Sequence, residues 1–156
     1  MEIVIILGLI FFNGILSMSE IAMVSARKSR LETAAKKGSK TAKTALRLAN
    51  EPDRFLSTIQ IGITLIGILT GLYSGEALAG DLARWLETIG IPQAHSLTLA
   101  KGIIVILVTY LTLILGELVP KHLGMNAPEK IARLIARPME VPVSYTHLRA
   151  HETLAN

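Results

Sequence analysis

The sequence predicts an all-α integral membrane domain of three transmembrane helices followed by a juxtamembrane amphipathic helix. Three observations carry that prediction. Charged residues are only 18% of the 156, against 51% hydrophobic, where a soluble domain is charged at about a quarter of its positions. Mean hydropathy is +0.49. Apolar runs long enough to cross a bilayer, about 20 residues at 1.5 Å each, occur at 3–24, 55–78 and 97–119.

Composition also narrows function. The net charge is +4 and the pI about 9.6, yet aromatics are only 4%, too few for bases to stack on. No nucleic-acid partner is expected, and membrane lipid is the natural partner of the basic excess. The absence of cysteine excludes disulfides, thiolate metal sites and cysteine nucleophiles. No His-Glu-x-x-His, no phosphate-cradling Gly-rich loop and no Ser/His/carboxylate set occurs, so the chain does not read as an enzyme.

No basic residue precedes the first span, and Arg27, Lys28 and Arg30 follow it where a leader would be cleaved, which argues for a retained helix. Segment 27–54 carries nine Lys/Arg, whereas 81–96 carries Arg84 alone. By the positive-inside rule the 27–54 loop is cytoplasmic, and the N-terminus and the 81–96 loop lie outside. Lys121, Lys130, Arg133 and Arg137 return the C-terminus to the cytoplasm, as an odd number of spans requires. This describes a multi-pass protein of the cell (inner or plasma) membrane.

The basic loop reads as helical, broken at Gly38 and stopped by Asn50-Glu51-Pro52. After the third span, Asn126 is placed to cap a helix over about 127–137, with Pro128 and Glu129 in its first turn. Ile131, Leu134 and Ile135 form one face and Lys130, Arg133 and Arg137 the other, the pattern of a helix lying in the lipid interface. An ordinary solvated basic helix fits the same pattern.

Polar side chains inside a span cost about 2.5–3.5 kcal/mol for a central Asp, Lys or Arg on insertion scales and mark a pathway or a partner. Each span carries one: Glu20 lies seven residues before Arg27, Gln60 six after Arg54, and Glu117 four before Lys121. All three therefore sit roughly 6–10 Å from the basic boundary. At 100° per residue Asn13, Ser17 and Glu20 share one face within about 60°, and Gln60, Thr64, Gly67, Gly71 and Gly75 share another within about 80°. The glycines form a doubled small-residue stripe that lets another helix approach closely.

On the third helix Thr109, Thr112, Gly116 and Pro120 share a face. Pro120 has no N–H and crowds the Gly116 carbonyl, so a local break there frees carbonyl oxygens beside Glu117, as backbone lining a cavity does. Such hard oxygens suit Mg²⁺, Ca²⁺ or Na⁺. The same carboxylates fit a second reading, in which they snorkel or pair with Lys121 and the hydroxyls bond their own helix. Spacing leaves both open.

Over Ser19-Glu20-Ile21-Ala22-Met23-Val24-Ser25, the 50–65 run NEPDRFLSTIQIGITL and Gly116-Glu117-Leu118-Val119-Pro120-Lys121, the sequence resembles the transmembrane domain of the cyclin M (CNNM)/CorC family of magnesium transporters. These proteins are known in bacteria as the hemolysin family. The resemblance covers residues 1–140. It implies a homodimer, each subunit giving three helices and a juxtamembrane belt around a cavity. It also implies a largely dehydrated Mg²⁺ as the bound or transported ion, with Na⁺ a candidate coupling ion. Carried over by motif, the ion ligands are Ser19, Glu20 and Ser25, the Gln60 to Thr64 region, and Gly116, Glu117 and Pro120, with Lys121 beside them. Ser19 and Ser25 stand about 100° and 140° from Glu20 on an ideal helix, so their convergence requires a local distortion of the first helix.

Family members continue into paired cytoplasmic CBS regulatory domains, which this chain does not reach. Segment 143–156 matches nothing expected there and reads as a non-native or disordered tail, so His147 and His151 are not expected to hold a metal. The leading function is the membrane domain of a Mg²⁺ transporter. The alternative is a non-transporting anchor or sensor for CBS-type domains. A pore-forming toxin fits less well, because the loop charges and Gly-rich faces describe a constitutively inserted bundle.

Overall fold

Glu2–Ser25 forms one unbroken helix, α1, and at 1.5 Å per residue it exceeds the hydrocarbon thickness of about 30 Å. The computed structural model describes residues 1–139, and every element among them is helical. The basic segment folds as α2 (Lys28–Lys36) and α3 (Lys40–Asn50), parted at Gly38 with φ +91°, a conformation that favours glycine. Ser39 caps α3, its hydroxyl accepting the Ala42 N–H at 3.2 Å. Pro52 opens α4 (Pro52–Ala77), earlier than the predicted 55, because the missing N–H of proline costs nothing in a first turn.

The 81–96 connection is more ordered than a loop. α5 (Ala79–Thr88) turns off α4 at Leu78 and packs Ala79, Ala83 and Leu86 with Ala100 of α6 (Gln93–Leu113). A helix so short is marginal without such packing. The third span also runs past the predicted 119. α6 passes through a π-helical turn, Ile114–Leu118, into α7 (Val119–Asn126). Among the described residues three helices are thus long and apolar enough to cross a membrane, and the chain is a multi-pass membrane domain of the all-α class.

The juxtamembrane helix, α8, spans 128–139. Asn126 does not cap it: Asn126 ends α7, and the Ala127 carbonyl instead accepts the Ile131 N–H at 3.2 Å. Its apolar face is rotated from the predicted one, for Ala132, Ile135 and Ala136 are buried while Leu134 is 75% exposed. The small alanines join a cluster with Leu31, Ala45 and the fully buried Phe55. Arg133 Nη2 donates to Ser39 Oγ at 3.1 Å, and Arg30 pairs with Glu129 at 3.7 Å. α8 therefore seals one end of the bundle against α2 and α3. The predicted tail 143–156, with His147 and His151, lies outside the described residues.

α1 is the central element, packed on α4, on α7 and on the π turn. Its contact with the third span depends on glycine. A Cβ at Gly124 would stand 2.9 Å from the Met18 carbonyl oxygen and collide with Ile21, and one at Gly14 would stand 2.9 Å from Pro120 Cγ. A Cβ at Gly67 or Gly71 meets nothing within 4 Å, and at Gly75 only Val105 at an ordinary 3.6 Å. Within one chain the close approach therefore uses Gly14 and Gly124, not the predicted stripe on α4. Gly124→Ala should cost about 1–3 kcal/mol, the range for overpacking, whereas Gly67→Ala should leave the monomer's melting point in detergent unchanged. Equal melting of the two variants would contradict this packing.

Candidate cation site

Pro120 organises the third helix from which the site is built. The Val119 N–H reaches back five residues to the Ile114 carbonyl, and Pro120 has no N–H to offer. The carbonyls of Leu115 and Gly116 thus lose their α-helical donors, as a break beside Glu117 requires. Asn13 Nδ2 donates to the Gly116 carbonyl at 3.0 Å across the α1 contact. That approach needs a glycine, since a Cβ at 116 would lie 3.2 Å from both Asn13 Nδ2 and the Ile10 carbonyl oxygen.

Beside this turn side chains of α1, α4 and the third span form one linked cluster. Lys121 Nζ lies 2.8 Å from Glu117 Oε1 and 3.5 Å from Glu20 Oε2, and Gln60 Nε2 of α4 donates weakly to Glu20 Oε1 at 3.4 Å. The Glu20 side chain is 18% exposed and that of Glu117 36%, so the pair opens to one side.

Among the described residues three side-chain oxygens are buried without a hydrogen bond: Asn13 Oδ1, Ser17 Oγ and Glu20 Oε2. They lie on the single face of α1 that helical spacing predicts. Such orphans are costly in a dry environment and leave acceptor capacity for a cation or water. Ser17 is informative by contrast with Ser19, Thr70 and Thr112, whose hydroxyls donate to the carbonyls of Ile15, Ile66 and Val108 four residues back.

The predicted residues therefore separate into two groups. Glu20, Gln60, Glu117 and Lys121 come together, with Gly116 and Pro120 of the same turn packed further along α1 on Asn13 and Gly14. Ser19 is buried on another face with its proton committed to Ile15, and Ser25 is exposed at the end of α1. α1 is unbroken through both, and the helical distortion sits instead at Ile114–Leu118. Thr64 is exposed on α4, and Gly67 and Gly71 line a shallow groove with Thr109 and Thr112. Asn13 and Ser17, which the resemblance does not supply, are the additions. The spacing of 13, 17 and 20 is the signal that finds them. Among the described residues no three acidic or histidine side chains gather, so the cluster offers a cation two carboxylates and otherwise neutral oxygens.

The profile of the cyclin M transmembrane N-terminal domain matches residues 4–145. This chain belongs to that family. The cyclin M domain is 47% identical over 146 residues to a UPF0053 protein of Synechocystis, covering 94% of this chain and 33% of the relative. It is 32% identical over 140 residues to UPF0053 protein YhdT of Bacillus subtilis, covering 90% and 30%. It is 33% identical over 138 residues to the polyamine export protein of Escherichia coli K12, covering 88% and 31%. The chain thus spans about a third of the length of these relatives, consistent with further domains in them beyond this one.

Asn13→Ala removes a donor from a buried carbonyl and should cost about 1–3 kcal/mol. In a Pro120→Ala background the new N–H at 120 is free to serve Gly116, so the cost should shrink in a double-mutant cycle of detergent melting. Strict additivity would contradict the assignment of the Gly116 carbonyl to Asn13.

Proposed function

We propose that this domain binds and passes a cation between α1 and the π turn, with Mg²⁺ as the preferred ion. The observation that carries the reading is a pair of carboxylates on separate helices, Glu20 and Glu117, already seating a positive charge beside two carbonyls without α-helical donors. Glu20 and Glu117 supply the charge. The buried Ser17 oxygen, three residues from Glu20 on α1, replaces water, which Mg²⁺ gives up reluctantly, and the Leu115 carbonyl and Asn13 oxygen, further along α1, line the path of the ion. Without a cation the two carboxylates would repel. Gln60, already at Glu20, is a further neutral ligand, whereas Ser19, Ser25 and Thr64, taken from the family pattern, join the ligand set only if α1 and α4 rearrange on binding. Na⁺ coupling is part of the same proposal.

The assembly belongs to this reading too. Gly67 is exposed and Gly71 half-buried, near the exposed Ile61, Leu65, Ile68 and Leu72, and a Cβ at either glycine would meet nothing within 4 Å inside the chain. They are the surface we assign to a homodimer. The nine basic residues of 27–54 support a cytoplasmic α2–α3 and an external N-terminus in the cell membrane. The C-terminus then leads toward cytoplasmic regulatory domains in full-length relatives.

A specific observation favours a second cargo. The charge seated between Glu20 and Glu117 is a primary alkylammonium, that of Lys121, the same group that ends a polyamine, and one relative is a polyamine export protein. Titrating the purified protein separately with Mg²⁺ and spermidine while following its melting point distinguishes them. Glu117→Gln keeps shape and one oxygen but deletes charge, so it should reduce the stabilisation by the true cargo well beyond any loss of apo stability; Glu20→Gln should act likewise. Cation stabilisation equal to wild type in both variants would overturn the site and favour a non-transporting anchor.

A further inference from the structure

We infer that Lys121 is a tethered counter-cation, holding the Glu20/Glu117 seat when it is empty of cargo and leaving it when a mobile cation arrives; this rests on the cation reading above. Three features of the site point to that role. The ammonium does not pair with one carboxylate alone but lies between carboxylates of two different helices, 2.8 Å from Glu117 and 3.5 Å from Glu20. Its contact with Glu20 is long, and Glu20 Oε2 remains buried without a hydrogen bond, so the tether satisfies the seat incompletely. The Lys121 side chain is also 33% exposed, which gives it a way out on a four-carbon stem with freely rotating bonds.

A second cation at contact distance from both carboxylates would be at contact distance from Nζ as well, and like charges in a partly dry site repel strongly. Cargo and tether therefore exclude one another. While the seat is empty, Lys121 neutralises one of two facing carboxylates and spares the bundle their repulsion. When cargo is bound, the displaced ammonium competes to return. That competition lowers affinity and speeds release, and conduction requires binding weak enough to leave. A simple structural salt bridge predicts the opposite, because its loss would disorder Glu20 and Glu117 and weaken cation binding.

The chain has no cysteine, so Lys121→Cys introduces a single reactive thiol. In Mg²⁺ titrations followed by melting in detergent, Lys121→Cys and Lys121→Gln should both bind Mg²⁺ more tightly than wild type, by about tenfold or more, equivalent to about 1.4 kcal/mol. Coupling 2-aminoethyl methanethiosulfonate to the introduced thiol restores a tethered ammonium and should return the affinity toward wild type, whereas the neutral methyl reagent should not. Should Lys121→Cys fail to fold, Lys121→Gln alone decides by its affinity. Variants that bind no tighter than wild type, or two reagents that act alike, would overturn the tether. Wild-type binding lost in Glu117→Gln but unchanged in the Lys121 variants would leave the seat standing and remove the tether alone. Absence of Mg²⁺ binding in wild type and variants alike would remove both.

Discussion

The contact between α1 and the third span is the interaction on which the rest of the structure depends. Pro120 cannot complete an α-helical turn over Gly116, and the chain absorbs the defect as a π turn, a form frequent at functional sites. A defect of this kind survives in a dry bundle only if its freed carbonyls find donors. Asn13 supplies one from α1. It reaches that carbonyl because Gly14, Gly116 and Gly124 keep side chains out of the seam. The same closeness carries Glu20 to Lys121, one helical turn beyond Glu117.

Much of this is legible in the residues. Three apolar runs of bilayer length, the Gly38 break and the Pro52 start of α4 follow from rules that are local in sequence. So does the break ahead of Pro120, because ring sterics act within one turn. Hydropathy understates the length of the third span, since an apolar run ends where charge begins while the helix continues through Lys121 to Asn126. The rotation of α8 escapes the pattern for a related reason. Leu134 outweighs alanine in apolarity, yet the close floor formed with Leu31 and Phe55 admits Ala132 and Ala136.

Long-range partners are the part that spacing does not supply. Helical arithmetic puts Asn13, Ser17 and Glu20 on one face, but it does not say that this face meets the π turn rather than lipid. For the same reason the stripe of Gly67, Gly71 and Gly75 is conspicuous, while Gly124, a single glycine between Leu123 and Met125, is not. Resemblance by motif groups Ser19 with Glu20 because they are adjacent in sequence. Adjacent residues of a regular helix point about 100° apart, and the unbroken α1 keeps them so.

In the proposed cation reading the site joins two states of charge within one frame: two carboxylates relieved by an ammonium of the same chain, or by an ion from outside it. On that reading the orphaned oxygens along α1 and the open side of the carboxylate pair would give the ion a place and an approach. An experimental structure of the Mg²⁺-loaded protein in lipid, with Mn²⁺ used to locate the ion by anomalous scattering, tests this most directly. The expected result is an ion about 2.1 Å from a carboxylate oxygen of both Glu20 and Glu117, with the Lys121 side chain turned away. A vacant seat with Lys121 still bridging the two carboxylates at saturating Mg²⁺ would contradict it.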